Sequence, residues 1–382
     1  MAGRKSTLIL MLLLLVAFTL AFLLKVRQEM VDFEVNYKAA QRLRLGETLY
    51  RPSDGHYQFK YMPFSAFLYL PVTFLPLTGA KAVWYTVILL STGLIFFLSS
   101  KLLSLDKTEA LLIGLTSFLV LGRYFLRELQ LGQINALITF LLLLAIRFQA
   151  SPGRPRGKES GSGLSWGLAT ALKPYAAVFF PYLLLLRKWL ALASGAAVLI
   201  LAGLAPSLFY GFLGNLRVLN EWQSSLRAST PSLFSSQDNI SLIALFTKWT
   251  GRGRVALVLY LAALAVLASL VLYLIKRRNE CVQPVVLEGT LLLALIPLIS
   301  PLGWDYTLLS WAPAVMLILK FFPRYRPLWK GVLCLNLLVV ALSLYDIMGR
   351  DFYAAFMSKS IITMNFVVLV AYLVYLRIKR YA

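Results

Sequence analysis

"GLSWGLATALKPYAAVFFPYLLLL", residues 163–186, is an apolar run of bilayer-spanning length with Lys173 and Pro174 at its midpoint. Proline removes a backbone donor and pushes the residue before it out of the helical region. A lysine at the centre of a spanning helix costs roughly 2.5–3.5 kcal/mol. Interrupted backbone at membrane depth is tolerated only where it lines a cavity or is buried in protein. The run therefore reads as two half-length helices that meet at Lys173-Pro174 and enter and leave on the same side. The remainder of the chain has to supply a membrane protein able to bury that break.

The composition agrees. Of 382 residues, 59% are hydrophobic and 14% charged, with mean hydropathy +0.75. A soluble domain has roughly 45–50% apolar and about 25% charged residues. The leucine-rich blocks lack the period-2 alternation of a transmembrane barrel. The expected fold class is an all-α polytopic membrane protein with about ten full transmembrane helices. Candidate spans are 7–25, 82–101, 108–126, 133–149, 189–211, 254–275, 284–302, 305–320, 328–346 and 360–378. The first has no small-residue cleavage site after it and reads as a retained helix, not a signal peptide. "MPFSAFLYLPVTFLPL" (62–77), with Pro63, Pro71 and Pro76, reads as a re-entrant or surface-lying segment. "SPGRPRGKESGSG" (151–163) reads as a flexible linker. No internal repeat is evident. The chain is expected to form one integral membrane domain over 1–382. Within it, 1–211 is expected as a first module whose first outer loop is 26–61, 212–253 as a second outer loop, and 254–382 as a C-terminal transmembrane module.

The formal net charge is +22. In a soluble protein this would suggest nucleic acid. Here the basic residues cluster in short loops, as the positive-inside rule requires, and no nucleic-acid partner is expected. Arg4 and Lys5, 147–160, "IKRRNE" (275–280), 320–330 and the terminal "RIKRYA" are all placed in the cytoplasm. Cys281 and Cys334 give no disulfide framework and no zinc spacing, and the single histidine, His56, excludes a histidine-rich metal site. No metal and no cofactor are expected.

Under this topology five polar stretches fall on the outer face or at a cavity open to it. They are "DFEVNYKAAQRLRLGETLY" (32–50), "FKYMPF" (59–64), "LGQIN" (131–135), "SSQDNIS" (235–241) and "SPLGWDY" (300–306). The first has the spacing of an amphipathic surface helix. Asp32 near its start is favoured by the helix dipole, either as a helix cap or as a working carboxylate. Lys173 is an anion-site candidate, or else it satisfies a carbonyl freed by Pro174. Gln133 and Asn135 read equally as interhelical hydrogen-bonding groups. Asp238-Asn239 before Ser241 doubles as a helix cap for "ISLIALFTKW". Trp304 fits an interfacial aromatic belt, and Asp305 is either a snorkelling or a catalytic carboxylate.

The ordered motifs DF-x-V-x-Y-x-AA, G-x-x-x-Y, F-x-Y-x-P, GQ-x-N, G-x-A-x-ALKP, Q-x-N-x-S and SP-x-x-W-D run from about residue 31 to 313. Together they resemble the polyprenyl-phosphate-sugar-dependent glycosyltransferases of the GT-C superfamily, family 87, best known for mannosyltransferases. The resemblance implies a GT-C fold in the plasma (inner) membrane with its site facing the periplasm or outside. It implies a sugar donor on a polyprenyl phosphate and a lipid-linked or glycan acceptor, with membrane lipids as further partners. It also implies a first-loop aspartate acting as catalytic base, a place that Asp32 occupies. The candidate donor- and substrate-binding residues are Lys173, Glu34, Tyr37, Arg42, Tyr61, Gln133, Asn135, Gln237, Asn239, Trp304, Asp305 and Tyr306. Family members often carry histidine where this chain has Tyr306.

The chemistry is coherent. A lipid phosphate is a good leaving group and needs no protonating acid. One carboxylate then suffices to take the acceptor proton as the hydroxyl attacks from the opposite face, which inverts the anomeric centre. Lys173, or Arg42 or Arg44, would neutralise the departing phosphate. Glu34 would share Asp32's face in an extended chain but not in a helix. Two other classes fit parts of the pattern. A transporter or flippase would also use a buried lysine, but needs polar groups along a path to both faces. Another lipid-linked-glycan transferase, such as an O-antigen ligase, makes no demand for an aspartate directly after the first span.

Overall fold

The structure is a computed structural model that describes residues 16–151 and 156–380. The expected first half of span 7–25, Arg4 and Lys5, positions 152–155 of the linker and the last two residues of "RIKRYA" lie outside the described residues. The described chain is helical throughout, with no strand. One isolated bridge pairs Asn239 with Trp304.

Residues 16–24 are helical and lead to the short amphipathic helix α1, Val31–Arg44, which buries Phe33, Tyr37, Ala39, Ala40 and Leu43. The proline-rich segment that follows forms a 3-10 helix, Pro63–Phe74, packed along α1. Next come α2 (Leu77–Leu102), α3 (Lys107–Leu131) and α4 (Asn135–Ala150). Asp106 starts α3 with a reciprocal capping box to Glu109. Helix α5, Arg156–Leu172, begins inside the segment read as a linker, so residues from 156 on are helix and not flexible chain. Their burial against α7 explains the difference: tertiary packing overrides the weak propensity of the Gly-Ser run.

Lys173 is extended, as the residue before a proline should be, and α5 stops at Leu172. The second half of the broken pair is a 3-10 turn, Pro174–Val178, running into α6, Phe179–Leu185. Helix α7 is Trp189–Leu204. Close approach of α5 and α7 rests on Gly163, Gly167 and Gly195. A Cβ on Gly163 would fall 2.1 Å from the Ala191 carbonyl oxygen, and one on Gly167 would fall 2.8 Å from that of Gly195. This is small-residue packing as membrane helices use it.

The chain then turns by 89° into α8, Ser207–Ser229. The segment 212–253 is therefore not an open loop. It holds most of α8 and all of α9, Leu242–Thr250, which is capped by Ser241. The remaining helices are α10 (Gly253–Lys276), α11 (Pro284–Ile299), α12 (Ala312–Lys320, continuing a 3-10 turn from Asp305), α13 (Pro327–Leu342), α14 (Tyr345–Met348), α15 (Arg350–Ser358) and α16 (Ile361–Ile378).

Among the described residues, α2, α3, α10 and α16 can each cross a membrane by length and composition, and the bent pair beginning at α7 makes up to five. The other apolar helices are shorter; α4, α11 and α13 have 16 residues each. The exterior is what membrane integration demands. In the most apolar window of α10 only 6% of residues are buried, so leucine, valine and alanine side chains face outward all round. Water would not tolerate such a surface; hydrocarbon does.

The helices alternate in direction, so their ends gather at two poles. One pole collects the start of α2, the end of α3, the start of α4, the end of α5 and the start of α16. Lys81 reaches the carbonyls of Arg27 and Glu29 there, and Thr363 reaches that of Ile240. The other pole collects the end of α2 and of α12, where Lys320 binds the Leu103 carbonyl, and the ends of α10 and α16, where Arg377 binds the Arg277 carbonyl.

Candidate active site

The turn between α3 and α4 organises the first pole. Gly132 takes a left-handed conformation (φ 70°) that ends α3, and the Gln133 amide bonds back to the Glu128 carbonyl at 3.0 Å. A Cβ on Gly132 would come within 2.6 Å of Phe33 Cβ, so glycine lets α1 sit directly on the turn. The Met30 amide bonds to the Gln130 carbonyl at 2.8 Å, and Trp84 donates to the carbonyl of Gly132. These contacts set the start of α1 beside Gln133.

Asp32 is the second residue of α1. Met30 occupies the cap position and offers no side-chain cap, so Asp32 is not the helix cap that the sequence allowed. Its Oδ2 accepts from Gln133 Nε2 at 2.7 Å. The same amide nitrogen lies 3.3 Å from the Tyr306 hydroxyl. Gln133 Oε1 accepts from Lys173 Nζ at 3.1 Å and from the Tyr61 hydroxyl at 3.2 Å. The lysine ammonium also donates to Asn135 Oδ1 at 2.8 Å, which the Tyr175 hydroxyl reaches at 3.0 Å. The rings of Tyr61 and Tyr175 lie 5.0 and 5.7 Å from Nζ. The ammonium therefore bonds side-chain oxygens and not a backbone carbonyl freed by Pro174; beside it, at the end of α5, the Leu172 carbonyl accepts from Ser65.

Glu128, absent from the candidates above, completes the cluster. Its carboxylate accepts from Asn135 Nδ2 and from the Ala136 amide at the start of α4, both at 2.8 Å. It is fully buried and acts electrostatically on Lys173. A glutamate four residues before a Gly-Gln turn in an apolar helix was the available signal: it needs a buried partner, and Lys173 is one. The cluster thus holds two carboxylates and one ammonium.

Burial holds the Asp32 carboxyl above its ordinary range, against the Gln133 hydrogen bond and the charges of Lys173 and Arg127, which pull it down. Half-buried Lys60 faces the same carboxylate; burial pushes its ammonium down while Asp32 draws it up. Neither Lys60 nor Arg127 was singled out from the sequence.

Other candidates sit elsewhere. Glu34 turns to the opposite side of α1 and pairs with Lys81 at 2.7 Å. Tyr37 donates to the Leu75 carbonyl at 2.9 Å. Arg42 grips Asp54 with two hydrogen bonds, 2.5 and 2.8 Å, and holds that carboxyl below its usual range. Arg44 lies over the Phe74 ring. Asn239 is buried and donates to the Pro301 carbonyl, while the Ile240 amide bonds to Gly303 at 2.7 Å. Gln237 is exposed, its carbonyl taken by Lys248, whose ammonium burial pushes down to about 8. The Q-x-N-x-S and SP-x-x-W-D motifs are thus zipped to one another, and Trp304 stacks beside Tyr306, ring centroids 6.5 Å apart. Asp305 pairs with Arg123 at 2.7 Å, and Arg123 also binds Tyr353 and the Ser343 carbonyl. Tyr306, the residue directly after the second motif, touches the Asp32 cluster.

The sequence profile described as Glycosyltransferase family 87 matches residues 59–301, well over half of the chain. The protein belongs to glycosyltransferase family 87. This family 87 protein is accordingly a membrane glycosyltransferase of the GT-C superfamily, and its donor is a polyprenyl-phosphate-linked sugar. Comparison with curated proteins found no match. Among solved structures it is similar to one titled "Crystal Structure of ArnT from Cupriavidus metallidurans in the apo state". That likeness has 13% sequence identity and a TM-score of 0.48, covering 100% of this chain and 78% of that one.

Proposed function

We propose that this glycosyltransferase moves mannose from a polyprenyl-phosphate donor to a hydroxyl of a lipid-linked or envelope glycan acceptor, with inversion and with Asp32 as general base. The observation that carries this reading is the pairing of Asp32 with Gln133, whose other amide atom is held by Lys173. That arrangement fixes the carboxylate 2.7 Å from a donor that cannot take its proton, leaving the second oxygen for an acceptor hydroxyl. Glu128 and Lys173 offset one another. The donor phosphate then meets the positive side of the site, made by Lys60, Arg127 and the remaining N–H of Lys173.

The leaving phosphate is stable as an anion, so proton removal from the acceptor is the step that needs catalysis. Burial raises the basicity of Asp32, which suits it to that step. On this reading the Asp32 pole faces the periplasm or outside of the plasma membrane, the opposite pole faces the cytoplasm, and the shorter apolar helices complete about ten crossings. The division into a module up to residue 211 and a C-terminal transmembrane module from 254 belongs to the same proposal. Transfer is tested with purified protein, polyprenyl-phosphate sugars and a membrane lipid extract, the product's anomeric configuration being read by NMR. An inverted product from the mannosyl donor supports the reading. Retention of configuration, or transfer undiminished in Asp32→Asn, overturns it.

A further inference from the structure

The fold brings together two basic stretches, "IKRRNE" (275–280) and "RIKR" (377–380). At the pole opposite Asp32, the ends of α10 and α16 border an open cavity of about 140 Å³. Arg277, Arg377 and Arg380 line it with Glu280, Tyr273 and Ile378. Helix α10 has 24 residues, so this cavity lies about 36 Å along the helix axis from the pole that holds the cluster.

We propose that this cavity binds a phosphate group, and that the phosphate is the headgroup of an anionic membrane lipid. Glu280 bonds Arg277 Nε at 2.8 Å and lies 3.2 Å from Arg380. One carboxylate cannot neutralise three guanidinium groups, so the cavity keeps a surplus of two positive charges. Arg278 turns away to Glu288, and Lys276 and Lys379 add to the surrounding positive field. Guanidinium groups recognise phosphate through paired, charge-assisted hydrogen bonds.

The geometry favours a lipid over a free anion. The cavity opens beside Tyr273 and Ile378, which are 46% and 62% exposed, at the foot of the outward-facing apolar wall of α10. A headgroup held by the arginines would lay its acyl chains along that wall. Basic pockets between helices near the cytoplasmic surface are suited to such headgroups.

The experiment is a thermal-unfolding titration of the purified full chain in neutral detergent with phosphatidylglycerol, phosphatidylcholine or inorganic phosphate. Phosphatidylglycerol is expected to raise the melting temperature saturably, by about 5 °C. Phosphatidylcholine is not. Arg277→Gln/Arg380→Gln should weaken the phosphatidylglycerol response by about tenfold or more in apparent Kd. Lys101→Gln/Lys107→Gln, which removes two exposed charges from the same pole, should keep it. Equal responses to the two lipids, or equal loss in both double variants, would overturn the site. A full response to inorganic phosphate alone would overturn the lipid assignment.

Discussion

Asp32 is a carboxylate whose burial is opposed by four polar influences, the Gln133 hydrogen bond and the charges of Lys173, Arg127 and His56, and burial wins. A base with a raised pKa loses activity earlier as pH falls. The acid limb of kcat/KM is therefore expected above the ordinary aspartate value of 3.8. Lys173 lowers the Asp32 pKa, so Lys173→Met should move that limb further upward as well as slow transfer; a limb that moves down would contradict the assignment. The linkage sign follows: a carboxyl whose folded pKa is raised stabilises the fold below its unfolded pKa, and that contribution is lost as pH rises. Asp32→Asn should then leave thermal stability at neutral pH unchanged or higher while reducing kcat by about 10²–10⁴-fold. Replacing Glu128 should instead weaken the fold through its hydrogen bonds. Both of its oxygens accept hydrogen bonds in a buried setting, so Glu128→Gln turns one acceptor into a donor facing a donor. It should cost about 1–3 kcal/mol of stability, measurable by chemical or thermal unfolding in detergent.

Between residue and molecule, the α3–α4 turn is the element on which the site depends. Gly132 is required twice, once for its positive φ and once for the space that Phe33 fills. Gly132→Ala should cost about 1–2 kcal/mol for the left-handed backbone alone. Because the added methyl meets Phe33, it should also push α1 away and raise KM or lower kcat with every catalytic side chain still present. The break in α5 was legible in advance because proline dictates the conformation of the residue before it, and Lys173-Pro174 stands in the primary structure. Helix α5's early start was not legible: "RGKESGSG" carries no helical pattern of its own, and its order comes from glycine-mediated contact with α7. The partners of Arg42 and Glu34 were hidden for a similar reason. Asp54 and Lys81 are distant in sequence, and no local spacing announces them.

The molecule as a whole separates two poles, one with the Asp32 cluster and one with arginines and lysines. If the first pole faces outward, Ser232→Cys and Lys107→Cys, in a background lacking Cys281 and Cys334, should react with a membrane-impermeant thiol reagent from opposite sides of intact cells or spheroplasts. Labelling of both from one side would remove the topology. Convergence of Asp32, Tyr61, Gln133, Asn135, Lys173 and Tyr306 required alternating helix direction, which the apolar run lengths and basic loops already implied. That Trp304, Asp305 and Asn239 brace the site without joining the cluster follows from the zipped loops, which only packing reveals.

Hydrophobic content, span-length runs, the lysine-proline break and an aspartate after the first greasy segment are properties of covalent order. They depend on the solvent that the chain must meet, so they specify a helical membrane protein and most of its reactive groups without coordinates. Which of those groups share a hydrogen, and which are consumed by ion pairs, depends on distances between helices far apart in the chain. Those distances are set by side-chain packing and by close contacts at Gly132, Gly163 and Gly167, and no periodicity in the primary structure encodes them.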